Sequence, residues 1–342
     1  MGKNRIKGRN SMQSFSERYE AEVLNFDREQ AAEHICETMR ELLRSKLRKR
    51  GLVVAVSGGI DSSVSAALAV RAIGPKKCFF MQLPEVDSAE DTQSRSSQLI
   101  QHLGVESTQH NIASTLEAIG CYDARDEAIK KTFPEYADGW KNKIVIKGGI
   151  DGQVNHFMLV VQDPAGNLQE KRLDLREYLQ IVAATNYKQR IRKTIEYYHA
   201  DRLNYAVVGT PNRLEYDQGF FVKNGDGSAD VKPIAHLYKT QVYALAKHLG
   251  LPDSICDAIP TTDTYSLPQG QDEFYFALPY QEMDKALWAH NHGATAEELA
   301  EMLGISEDQA KFVKQDIDNK RKTTHYLHAK PYLIDPIAEL DL

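Results

Sequence analysis

A chain of 342 residues, 42% hydrophobic and 26% charged, is long enough to bury a sizeable core as one large domain or two. Its mildly acidic net charge of -6 argues against nucleic acid or an anionic membrane as a partner. Cys36, Cys78, Cys121 and Cys256 are scattered without a CxxC pair, which excludes a zinc ribbon or disulfide framework and fits a reducing cytoplasm. No signal peptide and no apolar run of membrane-spanning length is present in the sequence.

Residues 1–14 are polar and basic without apolar period and read as a disordered leader. A helix is signalled from Asp27, with Ala31, Ile35, Met39, Leu42 and Leu43 on one face; it ends in the basic run before Gly51, the expected stop. The next stretch, LVVAVSGGIDSS from Leu52 to Ser63, organises the chain. An apolar strand breaks at Ser57-Gly58-Gly59 and an alanine-rich helix follows, which makes a ready anion site. Asp61 at such a site would repel phosphate unless a cation mediates, and magnesium is the natural one. Cys78 to Pro84 reads as a second strand, Glu90 to Leu103 as a helix and Val105 to Ile112 as a third strand. This alternation predicts a doubly wound parallel sheet with ligands at the carboxyl ends of its strands, where Gln82 lies.

From about residue 122 to 177, short strands separated by GGIDG and DPAGN predict an inserted antiparallel β unit. Trp140, Lys141, Lys143 and Lys147 read there as a solvated face. Helical period returns from Leu175 to about His199 and places Asn186 and Arg190 on one face. Asn204 to Thr210 repeats the strand-then-glycine grammar and sets Thr210 and Glu215 opposite Asp61, offering a second carboxylate to magnesium. The loop Gly219–Gly227 holds Phe220, Phe221, Lys223 and Asp226, with at least one phenylalanine expected in the core. Lys239 falls in the first turn of a helix, where a cation opposes the helix dipole unless an anion such as phosphate compensates. Two packed helices are expected over 295–325; Glu307 and Asp308 opening the second would repel DNA.

SGGIDSS resembles the pyrophosphate-binding loop of the ATP pyrophosphatases (the PP-loop superfamily). With NYKQRIRK, GTPNRLE, GFFVKNGDG, PIAHLYKTQV, PTTD and GQDE in order behind it, the chain resembles ammonia-dependent NAD synthetase from about Gln30 to residue 290. The resemblance implies an α/β, Rossmann-like fold of the adenine nucleotide α-hydrolase kind over 15–290, with the insertion at about 122–175 and a C-terminal helical extension over 291–342. It implies an ATP-dependent ligase that adenylates the nicotinate carboxylate of deamido-NAD and amidates it with ammonia, giving NAD, AMP and pyrophosphate. Ser57, Gly58, Gly59, Asp61 and Ser62 would hold the ATP phosphates, with Thr210, Lys239 and Thr261 also on ATP and Asp61 and Glu215 on magnesium. Asn186, Arg190, Phe220, Lys223, Asp226 and Asp263 would bind the dinucleotide or support its site, and Asp61, Lys239 and Asp226 would carry the catalysis. A cytoplasmic homodimer is implied, fed by free ammonia or by a separate glutaminase. Three features depart from the family: the insertion, Gln189 and Lys193 in place of its Ala and Met, and the HYLHAKP segment from His325 to Pro331 in place of a Lys-Arg pair before proline. All lie toward the acceptor, so two readings stay open: an amide ligase of the same fold acting on a sugar acid or other intermediate, and a non-catalytic nucleotide-binding protein.

Overall fold

The computed structural model describes residues 14–148, 150, 156–261, 264–276, 278–335 and 337. Residues 1–13 of the expected leader, Thr262 and Asp263 therefore lie outside the described residues. Ser14, the last residue of the expected leader, caps α1 (Phe15–Tyr19), its hydroxyl accepting the Glu17 N–H. A π-helical turn, Glu20–Leu24, follows, and Tyr19 and Val23 are buried, Tyr19 edge-on to Trp288 with ring centroids 5.7 Å apart. The capping box and the four-residue spacing of Phe15, Tyr19 and Val23 were the signals for this element.

Asp27 caps α2 (Arg28–Glu41) as expected, accepting the Gln30 N–H. The continuation stops earlier than Gly51, at Arg48 with φ 53° after the π turn Leu42–Leu47. Gly51 instead permits close approach: a β-carbon there would lie 2.3 Å from the Lys77 carbonyl and 2.5 Å from the Tyr205 ring. The organising stretch forms β1 (Leu52–Ala55) and α3 (Ile60–Ile73). Then come β2 (Cys78–Gln82), α4 (Glu90–Leu103), and β3, which is shorter than expected at Ser107–Gln109 because only those residues pair with β2, at the exposed sheet edge. Helices α5 (Ala113–Ala118) and α6 (Cys121–Thr132) lead into the insertion, whose strands β4 (Lys141–Lys147), β5 (His156–Gln162) and β6 (Leu168–Arg172) pair antiparallel in that order.

The long helix α7 (Leu175–Leu203) returns the chain to β7 (Ala206–Val207), beside β1. The parallel sheet runs β3-β2-β1-β7, so the strand order reverses direction between β1 and β7. That is the switch point at which doubly wound sheets open a crevice for ligands. Leu52 and Val54 bury toward α2, α3 and a later helix, while Val53, Met81 and Val207 bury toward α5 and α7; this two-sided burial is why the strand reads as an unbroken apolar run. The remaining helices are α8 (Arg213–Gln218), α9 (Lys239–His248), α10 (Asp253–Cys256), α11 (Gln271–Phe274), α12 (Tyr280–Asn291), α13 (Ala296–Leu303) and α14 (Glu307–His328). The last three pack with Tyr19, Trp288, Val313 and Ile317 in a second core. Among the described residues no helix is long and apolar enough to cross a membrane.

Candidate active site

The loops after β1 and β7 face each other across the switch point. After β1, Ser57 and Ser62 lock the turn: their hydroxyls lie 3.1 Å apart, Ser62 Oγ donates to the Gly59 carbonyl at 3.0 Å, and Gly59 N–H donates to Ser57 Oγ at 3.3 Å. Gly58 sits at φ +82°, and a β-carbon there would lie 2.4 Å from the Thr92 carbonyl and 2.8 Å from the Ser96 nitrogen. Both neighbours are backbone and cannot step aside. Gly58→Ala is therefore expected to cost about 3 kcal/mol of stability in urea unfolding.

Asp61 lies in the first turn of α3. Its Oδ1 accepts Asn212 Nδ2–H at 3.1 Å and its Oδ2 accepts a hydrogen bond from Lys239. Asn212 also caps α8 in a reciprocal box with Glu215, whose Oε1 lies 3.6 Å from Lys239 Nζ. Thus α3, α8 and α9 each aim one polar group at the same point. The Lys239 side chain is 2% exposed, and burial works against its charge. The carboxylates of Asp61 and Glu215 outweigh that penalty, and its pKa lies above that of an ordinary lysine. The anion expected to offset a lysine in a helix first turn is here a pair of carboxylates. The free N–H of Thr240 is met by Asp284 Oδ2 at 2.8 Å, and burial pushes the Asp284 carboxyl up to about 7.

A cleft of about 540 Å³ opens over these groups. Every expected site residue lines it except Gly58, which lies beneath the turn, and Asp263, which lies outside the described residues. Gln82 is 9% exposed and donates to Ser96 Oγ at 2.6 Å; Thr210 follows β7, and Thr261 bridges to Gly270. In the same cleft α7 presents Asn186 and Arg190, whose Nε donates to the Lys223 carbonyl at 3.3 Å. Lys223 Nζ in turn donates to the Tyr326 carbonyl at 2.8 Å. Phe220 packs its ring 4.7 Å from Tyr275 and 5.4 Å from Phe276, so it belongs to the second core as well as to the wall. Asp226 is open to water yet walled by protein. That crowding pushes its carboxyl above the usual carboxylate range, against the Val222 N–H it accepts at 2.8 Å and the nearby Lys193.

Sequence reasoning missed Asn212, for which the Asn212-x-x-Glu215 capping box was an available signal. Tyr326 and Leu327, part of the HYLHAKP segment expected toward the acceptor, line the cleft as well, so α14 contributes to its wall. Lys193, one of the departures from the family pattern, is buried and paired with Glu196 at 2.6 Å. Among the described residues no group of three or more His, Cys, Asp or Glu side chains converges as a metal cage. Two carboxylates reaching the same lysine do fit magnesium, which takes one or two carboxylates and completes its shell with phosphate oxygens and water.

A family model described as NAD synthase matches residues 31–136 and 153–328. The match continues past residue 290, where the motif resemblance ended, through α13 and α14. The NH(3)-dependent NAD(+) synthetase of Rhizobium meliloti (strain 1021) is 54% identical over 324 residues, covering 94% of this chain and 97% of that protein. Solved structures that share the fold include two synthetases. The NMN synthetase from Francisella tularensis has a TM-score of 0.62 at 21% identity, covering 90% of this chain and 99% of its own. The NH3-dependent NAD synthetase from Campylobacter jejuni has a TM-score of 0.59 at 21% identity, covering 91% of this chain and all (100%) of its own.

Proposed function

The chain belongs to the NAD synthase family, and from that premise we propose that it adenylates the nicotinate carboxylate of deamido-NAD with ATP and then amidates it with ammonia. A carboxylate oxygen attacks the α-phosphorus and pyrophosphate leaves. Ammonia then attacks the activated carbonyl, loses a proton and expels AMP. The observation that carries this reading is the convergence of Asp61, Glu215 and the buried Lys239 at the switch point, beside the Ser57–Gly59 turn. The turn and the first N–H groups of α3 cradle phosphate. Lys239 offers fixed positive charge where the leaving pyrophosphate gathers negative charge. Magnesium held by Asp61 and Glu215 would supply further charge neutralisation there. Gln82, Thr210 and Thr261 border the nucleotide. Asn186, Arg190, Phe220, Lys223 and Asp263 are the acceptor residues in this reading.

Asp226 is the candidate for orienting ammonium or taking its proton, since it lines the cleft and its carboxyl is held above the usual carboxylate range. Asp226→Asn is expected to raise KM for ammonium by about 30-fold while ATP affinity holds. An unchanged ammonium dependence removes Asp226 from this role.

The assembly is read as a homodimer in the cytoplasm, supplied with free ammonia or with ammonia from a separate glutaminase. Leu175, Leu179 and Tyr187 are 70%, 54% and 39% exposed on α7, and helical spacing puts them on one arc with Asn186 and Arg190. A second copy seated there would bury the apolar stripe and close over the acceptor residues. Leu179→Asp is expected to give a monomer by light scattering with acceptor affinity weakened about tenfold. A dimer of unchanged kinetics would place the interface elsewhere.

The function is tested with ATP, magnesium, 15N-ammonium and a panel of acids, with deamido-NAD beside nicotinic acid mononucleotide and sugar acids. The reading requires 15N-labelled NAD from deamido-NAD at the highest kcat/KM of the panel. Preference for another acid would keep the chemistry and replace the acceptor. ATP binding without pyrophosphate release from any acid would make the chain a nucleotide binder.

A further inference from the structure

Outside the cleft, a buried charge network gathers at Lys188 on α7, two residues along from Asn186. Lys188 is 1% exposed and does not line the cleft. Its ammonium donates to Glu85 Oε1 at 3.1 Å, Asp87 Oδ2 at 2.6 Å and the Thr264 carbonyl at 2.9 Å. Glu85 also accepts the Tyr122 hydroxyl at 2.9 Å, and Asp87 accepts Arg125 Nη1–H at 2.7 Å, both from α6. One ammonium thus joins the loop after β2 to the segment that follows Thr261.

The far side of that segment rests on the insertion. Leu267 N–H donates to the Asn142 carbonyl at 3.1 Å, Asn142 N–H donates to Ser266 Oγ at 2.8 Å, and Gln269 Nε2 donates to the Ile144 carbonyl. Lys143, expected on a solvated face, donates to the Pro268 carbonyl at 3.2 Å and pairs with Glu273 at 2.5 Å. The free edge of β4 is therefore a shelf for residues 266–273, while Thr261, Thr264 and Tyr265 line the cleft.

We propose that Lys188 is a positioning residue, which with the edge of β4 holds the 264–269 segment so that the cleft wall at Thr261, Thr264 and Tyr265 keeps the shape that takes ATP. The proposal rests on the ATP-binding reading above and gives the insertion a task within it. Without the ammonium, Glu85 keeps Tyr122 and Asp87 keeps Arg125, but two buried carboxylates lose their shared cation. Water or a proton then enters between them, and the Thr264 carbonyl loses its tie to α7.

Lys188→Met and Lys188→Arg are compared with wild type in three readouts: calorimetric binding of α,β-methylene-ATP, steady-state kinetics, and amide hydrogen exchange over 264–269. Lys188→Met is expected to weaken the analogue and raise KM for ATP about tenfold, leave KM for ammonium within about twofold, and speed exchange in the segment. Lys188→Arg, which keeps the positive charge between the two carboxylates in a bulkier head, is expected to restore part of the affinity. If Lys188→Met does not fold, Ser266→Ala tests the same segment from the β4 side, with a smaller loss of ATP affinity expected and the same gain in exchange. A folded Lys188→Met protein with wild-type analogue affinity and wild-type exchange overturns the proposal. A wild-type protein that does not bind the analogue overturns the ATP reading instead, and the exchange comparison then still decides whether Lys188 holds the segment.

Discussion

Lys239→Met is expected to lower AMP formation from ATP and deamido-NAD by about 10³-fold at saturating substrates. The residue leaves the first turn of α9 and meets Asp61 from α3 and Glu215 from α8 in a site where its side chain is 2% exposed. In water a single ammonium contributes little, because solvent screens it; behind a wall of protein the same charge acts at higher strength on the leaving pyrophosphate. Methionine fills nearly the same space, so the loss isolates charge from packing. It also leaves Asp61 and Glu215 facing one another without their shared cation, and stability is expected to fall by about 3 kcal/mol. Lys239→Arg is expected to recover little activity, since a planar guanidinium needs more room than the buried ammonium occupies. Quantifying AMP by chromatography alongside a urea unfolding curve separates the two effects. A folded Lys239→Met enzyme retaining a tenth or more of the wild-type rate, about the size of a loss in mere positioning, would remove the lysine from the chemistry.

The second large effect is expected at Asp61→Asn, with turnover lowered about 300-fold and the magnesium requirement shifted to higher concentration. Asparagine is nearly isosteric and can still accept from Asn212 Nδ2, which now donates to Asp61 Oδ1 at 3.1 Å. What it lacks is the negative charge that Lys239 uses in the free protein and that magnesium would use with ATP bound. Glu215→Gln is a milder companion, because Gln preserves the capping box with Asn212. Pyrophosphate release measured across a magnesium titration checks both. A rate loss with no change in half-saturating magnesium would leave Asp61 as a partner of Lys239 and take it off the metal.

How much of this was legible in the sequence depended on how local each feature is. The β1–α3 turn was readable in full, because its apolar run, its two glycines and the alanine-rich helix are contiguous and need no distant partner. Asp27 as a cap was readable for the same reason. The pairing of Asp61 with Lys239, 178 residues apart, is invisible to any pattern of periodicity; only the ordered set of family motifs brought the two together. Gly51 was misread as a helix stop because a glycine after a basic run fits a C-cap, while its actual constraint comes from Lys77 and Tyr205, which precede the neighbouring strands β2 and β7. The inserted β unit was legible as strands, but its contact with the segment after Thr261 was not, since pairs such as Asn142 with Ser266 and Ile144 with Gln269 lie far apart in sequence and no local pattern reports them. Lys143 is the sharpest case: a lysine on a short strand reads as solvated, and here it ties the strand to Glu273.

The measurement that tests the central claim most directly is an oxygen-transfer experiment. Deamido-NAD carrying 18O in its nicotinate carboxylate is turned over with unlabelled ATP, magnesium and ammonium, and the products are weighed by mass spectrometry. Attack of the carboxylate on the α-phosphorus followed by expulsion with ammonia must place one 18O in AMP, leave the other in the amide of NAD and leave pyrophosphate unlabelled. Unlabelled AMP, or label appearing in inorganic phosphate beside ADP, would contradict adenylation at this cleft.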